Sequence, residues 1–92
     1  MTDIDKLIND KSAREAFLKP YFDEKVEGKA ISHDDFDEIV MMVSDELGKE
    51  WPTEEDIEKA GDSRKYYPKS ITYTFDVVVS RMEFVFIALK KK

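Results

Sequence analysis

The chain has no cysteine, one histidine, and only three glycines and three prolines. Without thiols it can build no disulfide framework, no zinc–thiolate site and no cysteine nucleophile, which suits a reducing compartment. No Gly-rich phosphate-cradling loop is present, and no acid pair stands beside a candidate nucleophile, so the expectation is that it is not an enzyme. Long hydrophobic runs are also missing. The most apolar stretch, "VVVSRMEFVFIAL", is broken by Arg81 and Glu83 and is too short to cross a bilayer. The opening residues "MTDIDKLINDK" are charged throughout and do not read as a secretory signal. A soluble, cytoplasmic protein is expected. An excess of positive charge is lacking too: the formal net charge is −6. That disfavours nucleic acid and anionic membranes, whose phosphates call for Lys and Arg, and favours cationic partners.

What is present is enough for one small core. The 92 residues are 41% hydrophobic and 39% charged, with six Phe, four Tyr and one Trp. One domain, residues 1–92 with 1–11 as an N-terminal extension, is the expectation. Helix signals are dense. Ser12 with Glu15, and Thr53 with Asp56, have capping-box spacing, and Ser32 followed by Asp34 and Asp35 is a further N-cap. A helix from Ala13 towards Phe22 should be kinked or ended early by Pro20. Phe36, Ile39, Val40, Val43 and Leu47 predict a helix from His33 to Leu47, stopped by Gly48. A helix from Glu54 to Ala60 follows the connector "KEWPT", and a last one is expected between Thr72 and Leu89. Ile4, Leu7 and Ile8 suggest an extra turn or two at the start.

The pattern is all-α, helix–loop–helix twice over, with a weak internal repeat. "KAISHDDF" closes the first loop and "KSITYTFD" the second, placing Ile31 and Ile71 40 residues apart. The arrangement resembles a paired EF-hand lobe, a four-helix unit like half of calmodulin or a myosin light chain lobe. The residues that carry the likeness are Ile31, Ser32, Asp35 and Phe36 in the first hand, and Ile71, Thr72 and Phe75 in the second. The resemblance implies a short two-stranded pairing between the loops.

Calcium in that family is held by a twelve-residue loop of oxygen ligands closed by a bidentate glutamate. Here the first loop departs from the pattern. Anchoring on Ile31 puts Val26 and Gly28 at ligand positions, while anchoring on Gly28 puts Lys25 at one. The two anchors disagree by one residue, as an expanded loop would. Asp23, Glu27 and Asp35 are the candidate metal ligands if such a loop takes calcium. The second loop, anchored on Ile71, offers Arg64, Tyr66, Pro68 and Phe75, none of them a carboxylate. His33 reads as a solvated first-turn residue rather than a ligand.

The last helix is apolar nearly all round, since Val77, Phe84, Ile87 and Ala88 lie off its main stripe. It should therefore be covered on two sides, by the core, by a homodimer seam or by a partner. Phe36, Met41, Met42, Met82, Phe84, Phe86 and Ile87 are the candidate partner-binding residues. The resemblance implies a light-chain-like binding subunit, largely calcium-independent, gripping a basic amphipathic (IQ-type) helix such as a myosin heavy chain carries. A calcium-responsive sensor using the expanded first loop and an acidic inhibitor of a cationic protein site are the alternatives.

Overall fold

A computed structural model describes residues 3–61 and 72–92. Its helices are α1 (Ile4–Asn9), α2 (Lys11–Lys25), α3 (His33–Glu46), α4 (Glu54–Ala60) and α5 (Phe75–Lys90). Two short strands, β1 (Ala30–Ile31) and β2 (Tyr73–Thr74), pair antiparallel. The described chain is thus mostly helical, with five helices rather than four. The N-terminal extension supplies the fifth.

Local chemistry accounts for most boundaries. Asp10 ends α1 and starts α2, its carboxylate accepting the Ala13 N–H at 3.2 Å. Asp10 is the N-cap there; Ser12, the residue expected to cap, already lies inside the first turn. Pro20 neither ends nor breaks α2, which runs on to Lys25. It sits on the exposed side while Leu18 and Phe22 are buried on the other, and that burial offsets the lost backbone hydrogen bond. Ser32 caps α3 through the Asp35 N–H at 3.1 Å, as its sequence predicts. Past its end Gly48 takes φ +67°, and Gly48 and Lys49 donate to the carbonyls of Asp45 and Ser44, a Schellman closure. Thr53 and Asp56 form a reciprocal capping box on α4.

The strand pairing sets Ile31 opposite Tyr73 and Ala30 opposite Thr74. Ile71, the partner expected from the repeat, lies outside the described residues, and the true offset is 42 rather than 40. Thr74, not Thr72, caps α5 by accepting the Val77 N–H. The physical reason is visible in the rings. Tyr73 stacks on Phe36 with centroids 4.7 Å apart and planes 18° apart, so the larger aromatic takes the buried strand position.

α5 is the middle of the molecule. α1, α2, α3 and α4 all pack against it. Val78, Val79, Met82, Val85, Phe86 and Leu89 are essentially inaccessible, and Phe84 and Ala88 on the other side are buried as well. Gly61, at the end of α4, abuts the Phe84 ring so closely that a Cβ there would sit 3.0 Å from it. The all-round apolar character of this helix is thereby explained by the protein's own core.

Among the described residues, three buried polar ones thread that core: Arg14, Ser44 and Arg81. Ser44 donates to the Val40 carbonyl one turn back. Arg14 has the larger job. Its Nε donates to Val79 O at 3.0 Å, and Nη1 donates to Leu7 O and Ile8 O at 3.0 and 2.9 Å. One guanidinium thus caps the C-terminal carbonyls of α1 and ties α2 to α5.

Candidate functional site

The first turn is built between α2 and α3. Lys25 ends α2, Val26 caps it, and Glu27 and Ala30 bond reciprocally across the turn at 3.1 and 3.5 Å. Gly28, at φ +68°, supplies the left-handed residue that this tight reversal needs. α2 runs on to Lys25 and the turn closes on its own backbone.

The three candidate ligands do not converge. Asp23 is exposed and pairs with Lys19 at 3.1 Å along α2. Glu27 is exposed on the turn, and Asp35 sits in the first turn of α3. The cation beside them is the chain's own. Lys25 Nζ meets Glu38 Oε2 at 2.6 Å. The hydrogen bond it donates to Glu38 raises the lysine's pKa above its ordinary value, with partial desolvation opposing and the charges of Glu38, Asp35 and Glu24 adding to the rise.

Among the described residues, the group whose ligating atoms do come together is His33, Asp34 and Asp37, all within 4.8 Å of one another. His33 Nδ1 lies 3.3 Å from Asp37 Oδ2, and its Nε2 lies 3.9 Å from Glu54 Oε1 on α4. Its ring is tilted against Tyr73. Asp34 and Glu54 stand in the first turns of α3 and α4, where the positive end of each helix already favours them. The His33 ring lies between Asp37 of α3 and Glu54 of α4.

Of the residues assigned to partner binding, Phe36, Met82, Phe84 and Phe86 are buried in the core. Met41, Met42 and Ile87 are half-buried. Four of the seven are thus enclosed by the helices packed around α5. The exposed aromatic is one the sequence reading passed over as part of a connector. Trp51 is 51% exposed, the one large hydrophobic residue so placed among the described residues. Its indole N–H donates to Asp45 Oδ1 at 2.8 Å, pinning the ring beside the end of α3. The signal was available: a lone Trp followed by Pro, in a segment otherwise polar.

Charge is distributed unevenly over these surfaces. At the α4–α5 end, Lys92 Nζ meets Asp56 Oδ2 at 2.9 Å over a shallow hollow lined also by Lys59, Ala88 and Lys91. The Asp56 carboxyl is lowered to about 2, first by the Thr53 backbone N–H and then by Lys92. At the end of α3 the acids Asp45, Glu46 and Glu50 are exposed. The Tyr21 phenol on α2 is pushed up by burial and, secondarily, by Glu46. No described helix is long and apolar enough to cross a membrane. Comparison with protein-family models, curated proteins and solved structures finds no match for this chain.

Proposed function

We propose that the chain is a non-catalytic binding module, built like a paired EF-hand lobe but independent of calcium, that holds a cationic amphipathic helix of a partner protein. A helix of the kind that a myosin heavy chain carries in its neck has that chemistry. The observation that carries the reading is Lys25. Where an ion would be expected to organise the first loop, its ammonium sits against Glu38 with Asp35 and Glu24 close enough to add to the attraction. A charge already supplied from within leaves little for a divalent ion to gain, and the closed Glu27–Ala30 turn offers no ring of ligands.

The lobe-like frame is supported by its two halves. Each runs from a helix to a short strand to a capped helix, and the strands pair with each other. Binding of a cation-rich partner is supported by the net charge of −6 and by an exposed aromatic amid acids. The core aromatics stay within, so the partner is met on the outer surface of a closed lobe. The test is an amide NMR titration of the labelled protein, first with calcium and then with an amphipathic leucine–arginine peptide. Calcium at millimolar levels should leave Gly28 and Ile31 in place, and the peptide should move a contiguous set of surface amides. Saturable calcium shifts at Gly28 and Ile31 would overturn the calcium-independent reading.

A further inference from the structure

We infer that Trp51 anchors the partner surface, its exposed indole face taking an arginine of the partner while the acidic end of α3 takes that arginine's charge. This rests on the proposed reading of the chain as a binder of cationic helices, and adds where the cation lands.

The electrostatics of the helix ends single out this place. A helix's C-terminus carries a partial negative charge that a basic side chain in the last turn ordinarily balances. α1, α2, α4 and α5 each have one there: Lys6, Lys25, Lys59 and Lys90. α3 has none, and carries Asp45 and Glu46 instead. Glu50 follows just beyond, exposed like the other two. The nearest cation in sequence, Lys49, is turned elsewhere, its ammonium donating to the Lys92 carbonyl at 3.3 Å. Carboxylates are thus stacked onto a negative helix end with no lysine of α3 to balance them, and the fold carries the cost. A local rule broken at one place in an otherwise consistent structure marks a place where something else supplies the missing charge.

The ring beside those acids is rigid and wet. Asp45 fixes the indole through its N–H, Pro52 restricts the backbone that follows, and half of the residue is open to solvent. A planar guanidinium fits this pairing of an aromatic face with neighbouring carboxylates better than an ammonium does. It can lie flat on the ring while its N–H groups reach sideways to oxygen. Tryptophan held in place is also the residue type most often found to carry binding energy at interfaces. Met41 and Met42, one helical turn before Asp45 on α3, are half-buried and lie at the spacing that shares its face. They offer apolar contact to the same helix that brings the arginine.

The experiment is calorimetry on the full chain with a four-turn amphipathic peptide of leucine and arginine, and with its lysine counterpart. Trp51→Ala should weaken the arginine peptide by about tenfold or more, and Trp51→Phe, which keeps the ring face, should weaken it less. The double substitution Glu46→Gln with Glu50→Gln leaves the indole–Asp45 bond intact. It should cost affinity at low salt and little at high salt. The lysine peptide should bind wild type more weakly than the arginine peptide. If wild type binds neither peptide, the proposed function itself fails. If wild type binds and Trp51→Ala binds within about twofold, the anchor is overturned while the binding reading stands. Intrinsic fluorescence of this single tryptophan that changes with protein concentration alone would make a second copy of the chain the occupant, and would overturn the assignment to a partner.

Discussion

The two helices that leave the paired strands, α3 and α5, start alike and finish in opposite surroundings. Each follows a strand residue that is buried, Ile31 or Tyr73, and each is capped by a hydroxyl, Ser32 or Thr74. From there α3 buries one stripe, Phe36, Ile39, Val40 and Val43, and turns acids to water. α5 buries all but a stripe through Asp76, Ser80, Glu83 and Ile87, and has a lysine at its end. The difference is made by α1, which lies outside the doubled helix–strand–helix pattern and covers a further side of α5. Place within a repeated frame therefore does not fix burial; the neighbours that happen to cover each face do. α5 thereby sits at the centre of the core, while α3 contributes one stripe to it and leaves its other face to solvent.

The sharpest test of that contrast is a matched pair of truncations. Phe86→Ala on α5 removes a fully enclosed ring and should cost about 3–5 kcal/mol. Met41→Ala on half-buried α3 should cost roughly 1 kcal/mol, because part of that side chain already meets water. Urea denaturation of the two variants reads both values. Equal losses would mean that α3 is as enclosed as α5, and the contrast between them would fall.

Next in size is the clamp that holds α1 in its covering position. Arg14→Met keeps the stem and removes the guanidinium, leaving the carbonyls of Leu7, Ile8 and Val79 without their shared donor. The expected cost is about 2–4 kcal/mol, from buried acceptors left unsatisfied. Hydrogen exchange separates this from a general loss. Amides of α1 should lose protection first, while those of α3 should keep theirs relative to wild type. If protection fell evenly across the chain, Arg14 would be part of the core rather than the tie between α1 and α5.

How much of this was legible in the residues follows the same division. α3 and α4 are marked in the sequence almost to the residue, because their caps are side chains speaking to adjacent backbone: Ser32, Thr53 with Asp56, and Gly48. The central role of α5 was half visible, as an apolar surplus whose cover could not be named. Part of its cover comes from α1, and the residue that joins them, Arg14, looks in sequence like any solvated helix cation. The strand register was missed by two residues, since Ile71 and Tyr73 are both apolar and two apart in sequence, a spacing that period-two alternation does not tell apart. Only ring stacking on Phe36 favours the larger one. Asp10 displaced Ser12 as a cap because it closes α1 and opens α2 at once, a role invisible until the break at that residue is known. For the site, the misfit of Lys25 in a metal loop could be read directly. Its pairing with Glu38, thirteen residues on and on a different helix, could not.

A smaller effect distinguishes the two helix ends. The end of α5 is tied to α4 by Lys92 and Asp56, whereas the end of α3 has no such lysine. A carboxyl whose folded value is depressed to about 2, against an ordinary 3.8, contributes stability above 3.8 and gives it up as pH falls through about 2. Amide signals around Ile57 and Lys92 should therefore titrate near pH 2, late in an acid series. The Asp56→Asn variant should show the acid form's shifts already at neutral pH. Titration of those signals near 4 would mean that neither the Thr53 capping bond nor the Lys92 tie is made in solution.

The smallest change expected is also the one that bears most directly on why the two halves can differ at all. Lys25→Met removes the cation from the first turn and leaves Glu38, Asp35 and Glu24 facing one another. Because the pair lies at the surface, stability should fall little, and less still at high salt. Its effect on cations is more telling. If the ammonium is what keeps ions out, the variant should gain weak, non-saturating shifts from calcium at Asp35 and Glu38, but no tight site, because the Glu27–Ala30 turn still closes the backbone. A tight site appearing on this single substitution would show that charge alone had excluded calcium, and that the closed turn opens at little cost. If the wild-type response to calcium is unchanged, the backbone closure is sufficient and Lys25 is only a surface partner of Glu38. Either result ranks turn geometry against charge in deciding what this loop can bind, which the contrast of α3 and α5 by itself leaves unranked.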